Sequence, residues 1–214
     1  MTTRKTLIST VALLFIFSGI AGLMYQIVWF KYLSLFLGNT TYAQTIVLAS
    51  FMGGLAIGAA VWGKRADRSA NPLRLYAWLE IGIGVWCLAY PWLLEGVKTL
   101  VTTIIIDAGL PSDSGTVLLL KLVVSLITLL PPTILMGGTL PVLVRYISDR
   151  IEDSGKNIAR LYFLNSLGAV VGSILGGIVF IPLVGMFATI ISAVAINVVV
   201  GGIALWLARV RLTQ

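Results

Sequence analysis

The chain has 214 residues, of which 58% are hydrophobic and 11% charged, with a formal net charge of +7. A soluble domain carries roughly 25% charged residues, so this composition excludes one. One cysteine, Cys87, and no histidine exclude a disulfide framework, a His-based metal site and a Ser/His or Cys/His nucleophile system, so neither metal nor cofactor is expected.

In hydrocarbon every backbone N–H and C=O must be paired within the protein, and the long unbroken apolar runs leave helices, not barrel strands, to do this. Arg4 and Lys5 precede the first run, about 7–37. That run extends well past a signal-peptide core, so it is expected to stay uncleaved. It is also longer than the roughly 20 residues one crossing needs. Gln26 lies deep enough within it to line a cavity. Gly38-Asn39-Thr40-Thr41 reads as a tight turn before the second run, about 43–62. This second run carries Gly53, Gly54, Gly58 and Gly63, with alanines among them.

The third run, about 75–94, holds Glu80, the one acid well inside a span. After it, the helical spacing of Val97, Leu100, Val101, Ile104 and Ile105 predicts an amphipathic helix over about 95–108, lying in the outer interface. Pro111-Ser112-Asp113-Ser114-Gly115 then turns and caps the chain. The fourth run, about 117–144, contains Pro131-Pro132. Each proline frees the carbonyl four residues earlier, here Ile127 and Thr128. The fifth run, about 158–181, carries Gly168, Gly172, Gly176 and Gly177, and Pro182-Leu183-Val184-Gly185 turns it into the sixth, about 187–207. The expectation is an all-α bundle of six transmembrane helices, one domain over 1–214, built from two three-helix units.

Orientation follows from Lys and Arg. One side collects Arg4, Lys5, Lys64, Arg65, Arg68, Arg74, Arg145, Arg150, Lys156, Arg160, Arg209 and Arg211, whereas Lys31, Lys98 and Lys121 fall on the other. Both termini are therefore expected in the cytoplasm. Because the charges sit between the apolar runs, they report topology and not a nucleic-acid surface.

Two features read as packing or as function. The ridges Gly54/Gly58 and Gly168/Gly172/Gly176/Gly177 let backbones approach closely, either inside the bundle or at a sliding or oligomer interface. They occur at corresponding places in the two halves, as in the inverted repeats of transporters. The second feature is a candidate substrate site of Glu80, Asn165 at similar depth, Gln26, and the freed carbonyls of Ile127 and Thr128. Glu80 either closes a structural ion pair with Arg145 or Arg160 or forms a cation or proton site.

Gly63-Lys64-Arg65-Ala66-Asp67-Arg68, read as a cytoplasmic link, resembles the first half of the loop motif of the major facilitator superfamily, with Gly63, Asp67 and Arg68 at the motif positions. Its second half is absent. The glycine run of the fifth helix is similar to that superfamily's antiporter motif, with Ser173 in place of proline. A resemblance to the membrane domain of bacterial membrane-bound spermidine synthase-like proteins covers nearly the whole chain. It rests on 18–29 (SGIAGLMYQIVW), 51–58 (FMGGLAIG), 135–141 (LMGGTLP) and 161–169 (LYFLNSLGA). Gln26 replaces the family's usual acid and Lys31 its usual arginine.

The resemblance implies half of a major facilitator fold in the bacterial inner membrane. The 214 residues hold no counterpart of the family's aminopropyltransferase domain, so no enzymatic activity is expected. Transport or binding of a small cationic solute such as a polyamine, as a homodimer, is the leading expectation. The alternative is a non-catalytic anchor or scaffold for a separately encoded enzyme or another membrane protein.

Overall fold

The computed structural model describes residues 2–111, 114–148 and 151–210, with side chains outside the description at 2–5, 151–154 and 210. The described residues form α1 (Thr2–Leu37), α2 (Thr40–Asp67), α3 (Pro72–Asp107), α4 (Gly115–Ile147), α5 (Ile151–Ile174), a π-helical turn (Leu175–Phe180) and α6 (Ile181–Val210). Local chemistry explains the short links. Gly38 takes a φ of 69°, which ends α1. Asn39 then accepts from Tyr42 N at 3.1 Å and caps α2, and Asn71 accepts from Arg74 N at 3.1 Å, with Pro72 in the first turn of α3. Ser114 accepts from Val117 N at 3.3 Å and caps α4.

Several expectations change. Gly63 to Asp67, read as part of a link, are the last turn of α2, and only Arg68 caps it from outside. The segment 95–108 is no separate interfacial helix but the continuation of α3. Gly96 does not take the left-handed conformation that ends a helix and α3 runs on through it, and the Thr99 and Thr103 hydroxyls bond back to carbonyls one turn earlier. At ~1.5 Å per residue, the 36 residues of α3 reach about 54 Å, well beyond a hydrocarbon core of about 30 Å. α4 runs unbroken through Pro131, Pro132 and Pro141. Ser112, Asp113 and Arg150 lie outside the described residues.

Five stretches are long and apolar enough to cross a membrane, where six are expected from the sequence. The expected fifth and sixth form one 55-residue run, Gly155–Arg209. The expected turn over Pro182–Gly185 narrows to its last residue: the helix runs on through Pro182, Leu183 and Val184 and breaks at Gly185, at φ 82° and ψ 172°. Its carbonyl accepts from the Thr189 hydroxyl at 2.7 Å.

Pairwise contacts give the helix directions. Gly168, Gly172 and Gly176 meet Ile16, Ile20 and Met24 in turn, so α5 runs parallel to α1. Gly54, Gly58 and Gly63 meet Thr133, Ile134 and Pro141, so α2 runs parallel to α4. Tyr90 packs on Trp29 and Tyr32, and Ser18 meets Glu80, so α3 runs with α1. Gly84 meets Asn197, and Gly201 meets Ala77, so α6 runs against α3. The long run therefore folds back on itself at Gly185. Exchanging α1 with α4, α2 with α5 and α3 with α6 maps the α1–α5 crossing onto α2–α4, and α3–α4 onto α1–α6.

At both parallel crossings glycine faces bare backbone. A Cβ on Gly172 would strike the Ile20 carbonyl, one on Gly58 the Ile134 carbonyl, and one on Gly137 the Leu55 carbonyl. Gly53, one position from Gly54, has open space instead. Alanine at Gly58 should therefore cost about 1–3 kcal/mol through forced separation, whereas alanine at Gly53 should be neutral or slightly stabilising. Thermal unfolding of the two variants in detergent checks this, and equal melting temperatures would contradict it.

Candidate functional site

Glu80 is fully buried on α3, one turn above Tyr76 and one below Gly84. The Ser18 hydroxyl of α1 donates to its Oε1 at 2.6 Å. The Asn197 amide of α6 donates to its Oε2 at 2.5 Å. The other side of that amide, Oδ1, accepts from the Tyr25 hydroxyl at 2.8 Å. The Tyr76 phenol sits close to the same carboxylate but outside hydrogen-bond geometry. Three helices thus converge on one carboxylate through uncharged groups. No Lys or Arg reaches it among the described residues, and Arg145 and Arg160 are exposed. The expected ion-pair lock is absent there.

Burying a carboxylate costs several kcal/mol unless its oxygens are satisfied. Ser18 and Asn197 supply one direct donor to each oxygen. Such a group is held in place yet has no fixed counter-ion, so its charge is free to respond to a proton or a cation. The carboxylate itself has no exposure to solvent, so the group closest in size to what it can meet is a proton or a water molecule.

The other expected site residues lie elsewhere. Asn165 is on α5, where its backbone and side-chain oxygens pack against Gly19 on another face of α1. Thr128 is 8% exposed, and its freed carbonyl accepts from the Trp86 indole at 3.1 Å, which satisfies the vacancy left by Pro132 from a neighbouring helix. Ile127 is 60% exposed on the bundle surface. Gln26 lines a cleft of about 270 Å³ with Gln44 and Ser173, between α1, α2 and α5, and away from Glu80. Gly54, Gly58, Gly168 and Gly172 lie at the helix crossings described above. Gly176 and Gly177 fall in the π turn against Met24 and Ile27. Asp67 and Arg68 are exposed at the end of α2.

Sequence reasoning missed Asn197, Ser18, Tyr25 and Tyr76. Asn197 had a usable signal: it is the one amide in the apolar run from Phe187 to Leu207. Depth counting selected Asn165 instead, because depth says nothing about which face of a helix a residue occupies.

No protein-family profile matches the chain, and no solved structure does. A polyamine aminopropyltransferase of Oceanobacillus iheyensis is 26% identical over 194 residues. The match covers 89% of this chain and 34% of that protein, so the chain spans about a third of the relative's length.

Replacing Asn197 by leucine leaves both the Glu80 carboxylate and the Tyr25 hydroxyl short of a partner in the core. The expected loss is about 1–3 kcal/mol for each unsatisfied group. Leucine at Asn165, half-buried and outside the cluster, should cost less. Unfolding midpoints in detergent compare the two, and an equal or smaller loss at Asn197 would remove the cluster's structural role.

Proposed function

We propose that this chain is a six-span membrane module with half of a major facilitator fold, and that it binds or carries a small cationic solute of the polyamine class. The observation that carries the reading is Glu80, a fully buried carboxylate held by Ser18 and Asn197 without a cationic partner among the described residues. Ionisable groups at membrane depth are costly to keep, which favours a working role over a decorative one. The reversal at Gly185 supports counting the 55-residue run as two spans. The exchange symmetry of the helix contacts supports two inverted three-helix units. The polyamine class rests on the likeness to the Oceanobacillus aminopropyltransferase.

A half of this kind presents one face to a partner, and a second copy of the chain is the partner proposed. In that dimer each copy would contribute one Glu80 cluster, and a solute with several amines would reach the pair through a parting of the helices that enclose them. The proposed setting is a bacterial inner membrane with both termini in the cytoplasm, on the strength of the basic residues gathered at one end. A second reading, an anchor or scaffold for an enzyme, is favoured by a specific observation. The Glu80 carboxylate is closed off from both the cleft at Gln26 and the apolar groove between α1 and α6, as a purely structural polar lock would be.

Glu80→Gln separates these readings. Glutamine keeps the shape and accepts from Ser18, and its amide N–H pairs with Asn197 once that amide flips to present its oxygen and its own N–H turns to the Tyr25 hydroxyl, but it loses the exchangeable charge. Under the carrier reading, spermidine binding to the purified protein falls at least severalfold while the melting temperature holds. Under the scaffold reading, binding is absent in both proteins. Unchanged, measurable spermidine binding in the variant would remove Glu80 from the site.

Orientation has its own check. Cysteines placed at Asn39 and Ser69 should react with an impermeant thiol reagent from opposite sides, with Asn39 labelled in intact cells. Labelling of Ser69 in intact cells would reverse the topology.

A further inference from the structure

The polar residues of the core form a strip and not a point. On α1, Ser18, Tyr25, Trp29 and Tyr32 are spaced by seven, four and three. On α3, Tyr76, Glu80, Cys87 and Tyr90 are spaced by four, seven and three. Both spacings keep the residues on one helical face, and the two faces meet. Ser18 bonds Glu80. Tyr25 stacks on Trp29 with centroids 5.9 Å apart, Trp29 lies 5.9 Å from Tyr90, and Tyr90 lies 6.2 Å from Tyr32. Cys87 is buried in the same cluster as Tyr25, Trp29 and Tyr90.

Along this strip three polar atoms have no hydrogen-bond partner among the described residues: Trp29 Nε1, the Tyr90 hydroxyl and, beside Glu80, the Tyr76 hydroxyl, all on side chains with 0% exposure. Trp29 and Tyr90 lie on the Gly38 side of Glu80. Thr128 lies near the Tyr90 hydroxyl but outside hydrogen-bond geometry, and its own hydroxyl donates to the Ser125 carbonyl at 2.8 Å. Buried N–H and O–H groups are almost always satisfied, and where protein supplies nothing, ordered water does. Tyr32, at the end of the strip nearest Gly38, is only half-buried. Past Glu80 in the other direction, the seam closes on Val11, Phe15, Leu73 and Leu79, all at 4% exposure or less, with Tyr76 the one polar group.

We propose that the α1–α3 seam holds bound water at Trp29 and Tyr90 and gives Glu80 proton access from the Gly38 end of the bundle. The inference rests on the membrane-spanning reading above and on Glu80 being exchangeable, but not on any solute. A proton enters at Tyr32, and each water in the thread gives up one proton as it takes one. The last water, beside the Tyr25 hydroxyl, passes its proton to the Glu80 carboxylate, and the protons of Tyr25, Asn197 and Ser18 stay where they are. The groups facing Glu80 are Ser18 and Tyr25 from α1, Tyr76 on its own helix, and Asn197 from α6, and no charged side chain of α4 meets it. Tyr25 is held by Asn197, and Ser18 by Glu80 itself, so these two mark the blind end of the thread.

The chain contains its own reporter. Cys87 is its single cysteine, and it lies between Glu80 and Tyr90. The infrared S–H stretch falls where no other protein group absorbs, so exchange to S–D in heavy water reports whether water reaches the seam. Full-length protein in nanodiscs is transferred to heavy water. The expected result is Cys87 exchange well ahead of the most protected core amides, and on the order of tenfold slower exchange in Tyr90→Phe. Tyr76→Phe, at the closed end, should leave the rate unchanged. An S–H band that persists in the wild-type protein as long as the core amides would overturn the proposal without any variant. So would a rate indifferent to Tyr90→Phe in a variant that melts like wild type. Glu80→Gln should not slow Cys87 exchange, so loss of the solute reading and loss of the water thread are separate outcomes.

Discussion

Gly172 brings the backbone of α5 against the carbonyl of Ile20, and Gly58 brings α2 against that of Ile134. In lipid there is no hydrophobic drive to push helices together, so close backbone approach supplies much of the adhesion. These contacts also set registers. They fix α5 in height along α1, and α2 along α4. The level of α3 and α6 against α1 is fixed at a separate place, where Ser18 and Asn197 meet Glu80. Shifting α1 by a single residue would turn Ser18 about 100° away from α3.

The cluster in turn restrains the apolar packing around it. Dispersion contacts between aliphatic side chains tolerate small slides, because one methyl replaces another at little cost. A carboxylate with one donor on each oxygen does not, since a displacement of an ångström leaves a charge unsatisfied. Trp86 plays a similar part in α4. Its indole takes the Thr128 carbonyl that Pro132 leaves without a partner, so a local defect in one helix becomes a fixed point between two.

Much of this architecture is legible in the amino-acid sequence. The apolar runs point to an all-helical chain, and Gly54, Gly58, Gly168 and Gly172 of the glycine ridges stand at crossings, whereas Gly53 meets open space and Gly137, outside both ridges, meets the backbone of Leu55. The limits come from information that a linear pattern does not hold. Depth along a helix can be counted, and this places Glu80 and Asn165 at one level; rotation about the axis cannot, and it separates them. Capping signals at Asn39, Asn71 and Ser114 are plain, but hydrophobicity fades at Leu94 and Trp62 well before the helices stop. Helices end where the backbone finds a cap or a glycine, and polar residues such as Lys64 or Thr99 continue them readily. At Gly185 the opposite occurs. The sequence predicts a whole turn from Pro182 onward, and a single residue in a glycine-only conformation suffices.

That single residue bears on how the protein enters its membrane. Between Arg160 and Arg209 the chain contains no charged side chain, so the insertion machinery meets a continuous apolar stretch with no hydrophilic connector to hold on either side. A rigid helix of 55 residues would reach about 80 Å, far more than a bilayer can hide, and would have to leave one end dissolved in water. A bend that only a residue without a side chain adopts cheaply breaks this rod in two and turns the chain back, so that α5 can lie along α1 while α6 runs against α3. That whole reversal depends on the absence of a single methyl group.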